Sequence, residues 1–248
     1  MTEIAAALCG DYRAEQVFIW QQELHLYEVY QAQIAVCDGE IEQCLARFAD
    51  QVDIVAVPPP PPKRRGSKQP GNSPNFDLRT ELYRITGVDF TQVNRFGVLT
   101  VLTLVSELGL DPSRFKSAKH FASWLGLCPG SRITGGKVKS SKTRRVVNRV
   151  ANALRMAAQT VGRSHSALGA FSRRLQARMG APKAITATAH KLSRIFYHLW
   201  TKGGAYIDPG VDSYEQKYRE RAVNNLHKKA KLFGFNLVPQ HTVSECVS

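Results

Sequence analysis

Residues 182–202 read PKAITATAHKLSRIFYHLWTK, and their spacing indicates the fold class of the chain. Proline suits the first turn of a helix, because the amide hydrogen that it lacks has no partner there. Apolar side chains then return every three or four residues, which predicts an amphipathic helix with one face in a core. These inward positions are Ile185, Ala189, Leu192, Ile195, Phe196 and Leu199. A stripe of Lys191, Arg194, His198 and Lys202 lies on the same helix at helical spacing.

The segments on either side of this helix have the same character. Similar periodicity predicts helices at 78–86, 97–108, 118–125, 146–161, 168–179 and 211–232. Ser117 suits a helix N-cap, and Gly126 suits the residue at which that helix stops. We therefore predict a mainly α protein with a compact all-helical C-terminal domain.

The first 57 residues are predicted to form long helices with a coiled-coil-like seam. The seam alternates spacings of four and three along Trp20, Leu24, Tyr27, Gln31, Ile34, Asp38, Ile41, Leu45, Phe48 and Val52. This is the rhythm of a coiled coil or of paired helices. An amphipathic helix packed on its own domain fits the pattern equally well. On the first interpretation, residues 12–52 would hold a homo-oligomer together.

Composition divides the chain into four predicted parts. Five prolines, Pro58 to Pro62, precede KRRGSKQPGNSP, a mixture that favours an extended spacer followed by loop. We predict a helical oligomerisation segment at 1–57, a Pro-rich basic linker at 58–75, a helical domain at 76–207, and a polar C-terminal helix and tail at 208–248.

Charge is distributed unevenly along the chain. Residues 112–207 contain 19 lysines and arginines and no aspartate or glutamate, whereas residues 1–57 contain 2 basic and 10 acidic side chains. Such a concentrated positive field predicts a polyanionic partner, DNA or RNA. It also excludes a carboxylate-held metal and an Asp/Glu acid–base pair within the acid-free block. The histidines and cysteines form no ligand set, so no metal site is predicted in this chain.

The sequence predicts neither a membrane span nor a signal peptide. No apolar run approaches the roughly 18 residues of a spanning helix, and the first residues lack the basic start of a signal peptide. The cysteines include no CxxC pair and suit reduced thiols. We therefore predict a cytoplasmic protein that does not bind a membrane.

The run CPGSRITGGKVKSSKTRR, Cys128 to Arg145, is the main candidate for function. Paired glycines allow close backbone approach or positive φ, and hydroxyls stand among cations. The loop could grip phosphates while presenting a hydroxyl to a phosphodiester, or it could bind nucleic acid without chemistry; spacing alone favours the second interpretation. The predicted DNA-binding residues are Arg132, Gly135, Gly136, Lys137, Lys139, Lys142, Arg144, Arg145 and Arg149, together with Lys191 and Arg194.

A helix-hairpin-helix motif is a second candidate, at GVDFTQVNRFGVLTVLTLVSELG, residues 87–109. In that motif the second helix offers free amides to a phosphate. Gly97 stands where the second glycine of the turn belongs, and Arg95 stands where the first is expected. An ordinary pair of core helices fits the segment about as well.

Three separated segments closely resemble the C-terminal domain of the Piv/MooV-type bacterial insertion-sequence transposases, the "IS one-ten" family. They are FKSAKHFASWLGLCPGSRITGGKV, NALRMAAQT and KAITATAHKLSRIFYHLW, and the resemblance runs from about Phe76 to Tyr206. The N-terminal helices are also similar to that family's coiled-coil region. The resemblance implies DNA transposition in a bacterial, nucleoid-associated setting, with DNA and a non-coding RNA of the element as partners.

The family resemblance further implies a composite catalytic site. In the family, a ribonuclease-H-like domain with a DEDD tetrad binds Mg²⁺, and a serine five residues after Gly-Leu-x-Pro supplies the nucleophile. Here Gly126-Leu127-Cys128-Pro129 is followed at that distance by Thr134. The resemblance thus implies Thr134 as the attacking hydroxyl. It also implies a chain that is truncated or a fragment, inactive alone because the metal-binding half is missing.

Two further hypotheses stay open from the sequence. One is a non-catalytic basic helical module that binds DNA or RNA, in which Thr134 is inert. The other is an assembly subunit that acts mainly through residues 12–52. The same cations serve the first of these as well as they serve a transposase.

Overall fold

The computed structural model describes residues 3, 6, 9, 10, 12–62 and 73–238. The described chain is mainly helical, which confirms the predicted fold class. It divides into two compact units, the first within residues 1–59 and 66–87 and the second within residues 60–65 and 88–248. Most of the predicted linker, residues 63–72, and the end of the predicted tail, residues 239–248, lie outside the described residues.

The first unit consists mainly of a long helix α1, Ala14–Ala46, and a short helix α2, Leu78–Thr86. Asp77 caps α2 by accepting a hydrogen bond from the amide of Thr80. Arg84 of α2 binds the last turn of α1, because its guanidinium donates to the carbonyls of Leu45 at 2.8 Å and Phe48 at 3.0 Å. These bonds attach α2 to the end of α1, where the Leu45 carbonyl also accepts from the amide of Phe48 at 3.1 Å.

The two ends of the predicted seam have different environments within the first unit. Asp38 and Leu45 are buried, and the amide of Asn75 donates to the Asp38 carboxylate at 3.0 Å. Trp20 and Leu24, near the start of α1, are 59% and 57% exposed. The later part of the seam therefore packs within this chain, while its earlier part presents apolar surface.

The units divide at Gly87 rather than at residue 76, where the composition placed the start of the C-terminal domain. The reason is tertiary: α2 packs on α1, and Arg84 forms ion pairs with Asp50 and Glu81 of the same unit. Composition marks the proline run, but it does not show which helix the residues after it will contact.

The second unit is a helical bundle with one small β-hairpin. Its helices are α3 (Val98–Leu108), α4 (Ala118–Trp124), α5 (Arg149–Val161), α6 (Ala167–Met179), α7 (Ala181–Lys202) and α8 (Gly210–Leu232). Short 3₁₀ turns lie at Phe90–Gln92 and Pro112–Arg114, and the strands are β1 (Arg132–Thr134) and β2 (Lys137–Ser140). The expectation of an all-helical domain is therefore wrong at residues 132–140, where the chain pairs with itself as strands.

Helix α7 is the centre of this unit and contacts α4, α5 and α6. The predicted inward positions Ala189, Leu192, Phe196 and Leu199 are buried, as the helical period required. Phe196 packs against Phe90 with ring centroids 4.7 Å apart. Burying large aromatic side chains in this way is a main source of core stability.

Two polar anchors attach α7 to the segment that leads into α4. The Tyr197 hydroxyl donates to the carbonyl of Phe115 at 2.6 Å, and the Trp200 indole donates to the carbonyl of Leu110 at 3.1 Å. Phe121 of α4 is fully buried and stacks on Tyr197, with centroids 5.8 Å apart. The position of α4, and of the chain that leaves it, is thereby fixed by the core.

The backbone of residues 87–109, the segment predicted as a helix-hairpin-helix, matches that motif in part. Gly97 is the N-cap of α3, and Arg95 has φ of +70°, the left-handed conformation that favours glycine. Arg95 thus adopts the backbone that the motif's first glycine would supply. The chain before it forms only the 3₁₀ turn Phe90–Gln92 rather than a full helix, so the motif stays a prediction.

A membrane span requires a helix that is both long and apolar. In the part of the chain that the structure describes, no helix meets both conditions.

Candidate nucleic-acid interface

The predicted basic loop contains a β-hairpin whose tip is formed by two glycines. Thr134 pairs with Lys137 across Gly135 and Gly136, which have φ of +56° and +72°. Two successive residues with positive φ form the type I′ turn, whose twist matches that of paired strands. Glycine adopts these angles without strain, which explains why both positions of the turn are glycine.

The register gives the hairpin two different faces. Ile133 pairs with Val138, and Arg132 pairs with Ser140. Because side chains alternate along a strand and cross-strand partners share a face, Arg132, Thr134 and Lys137 lie on one side and Ile133 and Val138 on the other. The register shifts between Arg132 and Ile133, and Lys139 is the extra residue there.

Both faces of the hairpin are open to solvent. Every residue from 131 to 139 is exposed, and Ile133 and Val138 keep 63% and 61% of their surface accessible. Across the described residues, no carboxylate forms an ion pair with Arg132, Lys137 or Lys139. The cationic face therefore carries uncompensated positive charge beside the Thr134 hydroxyl.

We call residues 129–143 the basic arm, and its two ends pair with each other. The amide of Gly130 donates to the carbonyl of Lys142 at 2.9 Å, and Pro129 bridges Thr143. Beyond these contacts, Gly126 at the end of α4 lies against the returning chain. A Cβ atom on Gly126 would stand 2.6 Å from Val146 Cγ2 and 3.2 Å from the carbonyl oxygen of Arg144.

Replacing Gly126 with alanine should destabilise the second unit by about 2–4 kcal/mol. Gly126 has φ of +66°, and the added methyl group would overlap Val146. Urea unfolding measures the effect, and Gly97→Ala is the matched control, because Gly97 has ordinary φ and open space at its Cβ position. Equal stability of the two variants would contradict the argument.

Part of the chain is similar to known proteins. Residues 89–173 match the family model described as "Transposase IS116/IS110/IS902 family". The chain carries a transposase domain of this family. It is also 34% identical, over 104 residues, to "Putative transposase y4pF/y4sB" of Sinorhizobium fredii (strain NBRC 101917 / NGR234). That alignment covers 39% of this chain and 26% of the relative, so the chain spans about a quarter of the relative's length. No solved structure matches the chain.

The transposase domain contains most of the predicted site, but the structure does not gather all of it. Residues 129–143, including Thr134 and Lys142, lie on the arm within the matched segment. Arg149 also lies within that segment and pairs with Glu107 at 3.2 Å, which offsets part of its charge. Lys191 and Arg194 lie beyond the matched segment, on α7.

A shallow cleft of about 300 Å³ lies where the arm returns to the core. It is lined by Thr143, Arg144, Arg145, Val146, Val147 and Arg155. The first two arginines were predicted as DNA-binding residues, whereas Arg155 was missed because it belongs to the apolar-periodic helix α5. The only sign of Arg155 in the sequence was its place in the acid-free block. It shares that place with 18 other cations, so the block alone does not single it out.

Two further groups of the second unit, Cys128 and His190, have shifted pKa values. Burial raises the pKa of the Cys128 thiol, which favours its protonated form. Burial lowers the pKa of His190 on α7, and the nearby Arg194 lowers it further. Among the described residues, no group of three or more His, Cys, Asp or Glu side chains could hold a metal ion.

Proposed function

We propose that this chain is the part of an insertion-sequence transposase that binds DNA and supplies the hydroxyl half of a composite strand-exchange site. The observation that carries the proposal is the cationic face of the basic arm. On this face Thr134 shares one side of the hairpin with Arg132 and Lys137, within the segment that matches the transposase family model, and this arrangement supports the proposal. The finer parts of this proposal, DNA binding and catalysis, are open to direct test.

The chemistry would be a transesterification at phosphorus. Thr134 Oγ1 would form a new bond to the phosphorus of one DNA strand, and the bond to the leaving oxygen would break, so that the strand departs as a free hydroxyl. The arm cations would hold the phosphate and offset the negative charge of the transition state. The threonine methyl group narrows the in-line approach relative to serine, but the nucleophilic atom is the same.

Mg²⁺ would belong to another part of the composite site. The described residues offer no donor set for it, and the acid-free block has no carboxylate. We propose that the metal-binding carboxylates come from a ribonuclease-H-like domain outside these 248 residues. Within this chain, the residues of the arm would bind and orient the DNA strand.

The alternative is a non-catalytic module that binds DNA or an RNA of the element through the same cations. The presence of threonine at the family's serine position favours it, because a binding module does not need an unhindered hydroxyl. In either case the exposed early part of α1 would serve to join copies of the chain. We place this function in the bacterial cytoplasm, at the nucleoid.

Neutralising the arm should weaken DNA binding and its dependence on salt. With Arg132, Lys137 and Lys139 changed to glutamine, three phosphate contacts are lost, so the slope of log affinity against log salt should fall by about 2.7 on duplex DNA. Fluorescence anisotropy at several salt concentrations measures this slope. The matched control changes Lys228, Lys229 and Lys231, which are exposed on α8.

The control variant removes the same formal charge from another part of the chain. A similar loss of slope in both variants would show that only the net charge matters. That result would contradict the assignment of the DNA contact to the basic arm.

A further inference from the structure

A second cationic site lies apart from the basic arm, between α6, α7 and α8. It is a pocket of about 390 Å³, within the range of roughly 300–1,000 Å³ typical of small-ligand sites. We call it the aromatic pocket. Its lining includes the aromatic residues Phe171, Tyr214 and Tyr218, and the cations Arg174, Arg178, Lys191, Lys217 and Arg221.

Lys191 and Arg174 are the two partly buried cations of this pocket. Lys191 is half-buried, and its Nζ lies 4.3 Å from the ring centroid of Phe171 and 5.7 Å from that of Tyr214. Burial lowers its pKa, Arg221 lowers it further, and Asp208 opposes the shift. A partly desolvated ammonium on aromatic faces gains from an anion that enters from solvent.

Two carboxylates near the pocket, Asp208 and Glu215, already have partners. Asp208 accepts hydrogen bonds from the amides of Ala167 at 3.1 Å and Gly210 at 3.2 Å, and from the Asn94 side chain at 2.8 Å. Glu215 forms an ion pair with Arg174. Among the described residues, no ion pair involves Arg178, Lys191, Lys217 or Arg221, so four of the five pocket cations keep their charge available.

Tyr218 offers a surface for a planar group. The Arg174 guanidinium lies over its ring at 3.4 Å, and the ion pair with Glu215 holds the guanidinium in place. Tyr218 nevertheless remains 43% exposed, so ring surface is left for a second planar partner. The same arrangement of aromatic faces and basic side chains is how proteins bind single nucleotides of an unpaired strand.

We propose that the aromatic pocket binds one unpaired nucleotide of a nucleic acid, with its phosphate among Lys191, Arg178 and Arg221 and its base against Tyr218. Cations alone would suit an inorganic phosphate, whereas the volume and the aromatic lining favour a larger, planar ligand. The class of ligand rests on the proposed nucleic-acid function, whereas the site is separate from the basic arm. The pocket would therefore distinguish extruded or single-stranded nucleotides from paired ones.

The test compares two DNA duplexes that differ in one nucleotide. One carries a single bulged 2-aminopurine, the other is fully paired, and affinity for the full 248-residue chain is measured by anisotropy. We expect preference for the bulged duplex by at least about fivefold, with quenching of the 2-aminopurine as it stacks. The same pair in RNA shows whether DNA, RNA or both supply the nucleotide.

Two variants and two controls make the test specific. Tyr218→Leu and Arg221→Gln should each reduce the preference to near unity, while Tyr218→Phe should retain it because the ring remains. Arg219→Gln is the matched charge control, since Arg219 lies on the same helix and is exposed outside the pocket lining. Circular dichroism of each variant verifies that the fold is intact.

The outcomes separate this inference from the proposed function. No preference for the bulge in either nucleic acid, or a preference that survives both Tyr218→Leu and Arg221→Gln, would overturn the inference. The arm variant should weaken both duplexes equally and leave their ratio unchanged. If the arm variant changes no affinity while the bulge preference persists, the arm assignment fails and the pocket stands.

Discussion

Changing Thr134 to alanine should abolish covalent joining of the protein to DNA. The measurement is an SDS-stable adduct with labelled DNA, formed when the family's ribonuclease-H-like domain and Mg²⁺ are supplied with this chain. The physical reason is that alanine removes the only oxygen of that side chain while leaving the hairpin intact, since position 134 is exposed and its partner Lys137 pairs through the backbone. DNA affinity should stay within about twofold, because a surface substitution of this kind disturbs little else.

Two further variants decide whether Thr134 itself is the nucleophile. Thr134→Ser should keep or increase the adduct, because it preserves the hydroxyl and removes the methyl group that crowds the approach to phosphorus. Ser141→Ala is the matched control, since it deletes another exposed hydroxyl of the same arm. An adduct that survives Thr134→Ala would assign the attacking group to another residue, and an adduct lost in Ser141→Ala would point to that serine.

Placing charge on the early part of α1 should separate the proposed oligomer into monomers. Leu24 and Ile34 lie on the seam and are 57% and 49% exposed. Residues at the core of a packed interface are largely buried, so this surface is open to a second copy of the chain. Changing both to glutamate would bury like charges between copies, in a segment that already carries a net charge of −8 over residues 1–57. We expect association to weaken by at least about 100-fold, measured by light scattering across a concentration series.

A control on the same helix tests the seam itself. Leu26 and Val36 are also exposed, at 49% and 62%, but they lie off the seam. Leu26→Glu with Val36→Glu adds the same charge and the same residue type to α1. If these variants also dissociate the oligomer, the interface is wider than the seam. A wild-type chain that is monomeric throughout would contradict the oligomerisation proposal.

Local periodicity predicted the helix faces and caps that depend only on residues close together in the sequence. The inward face of α7 follows from the helical period, because Leu192 and Phe196 recur one turn apart. The N-cap at Ser117 was predicted in the same way, and its side chain accepts from the amide of His120. Such features depend on residues within one or two turns, so a single sequence contains them in full.

The hairpin was missed although its signal was present. Ile133 and Val138 are the only apolar residues between Arg132 and Arg145 apart from the glycines, so the alternation is too short to register as a strand. Two glycines between them are, however, among the favoured sequences of a two-residue hairpin turn. The pair Gly135-Gly136 therefore contains enough information to predict a turn across which Thr134 and Lys137 face each other.

Long-range placements could not be predicted from sequence patterns. Asp38 lies on the predicted seam, yet its carboxylate accepts from the amide of Asn75, 37 positions along the same chain. The aromatic pocket likewise combines Phe171, Lys191 and Tyr218 from three helices. In the sequence, Lys191 belongs to a helical stripe. Only the packing of α6 and α8 shows that its surroundings differ from those of the arm cations.

The contacts at the base of the arm have a mechanical consequence. Gly130 and Lys142 close the arm by a hydrogen bond, and Gly126 admits Val146 within van der Waals distance of the end of α4. The two ends of the arm are therefore held together beside the end of α4, while its tip, which carries Thr134, is exposed. On the proposed function, a change at the base of the arm would therefore displace Thr134 and the arm cations together.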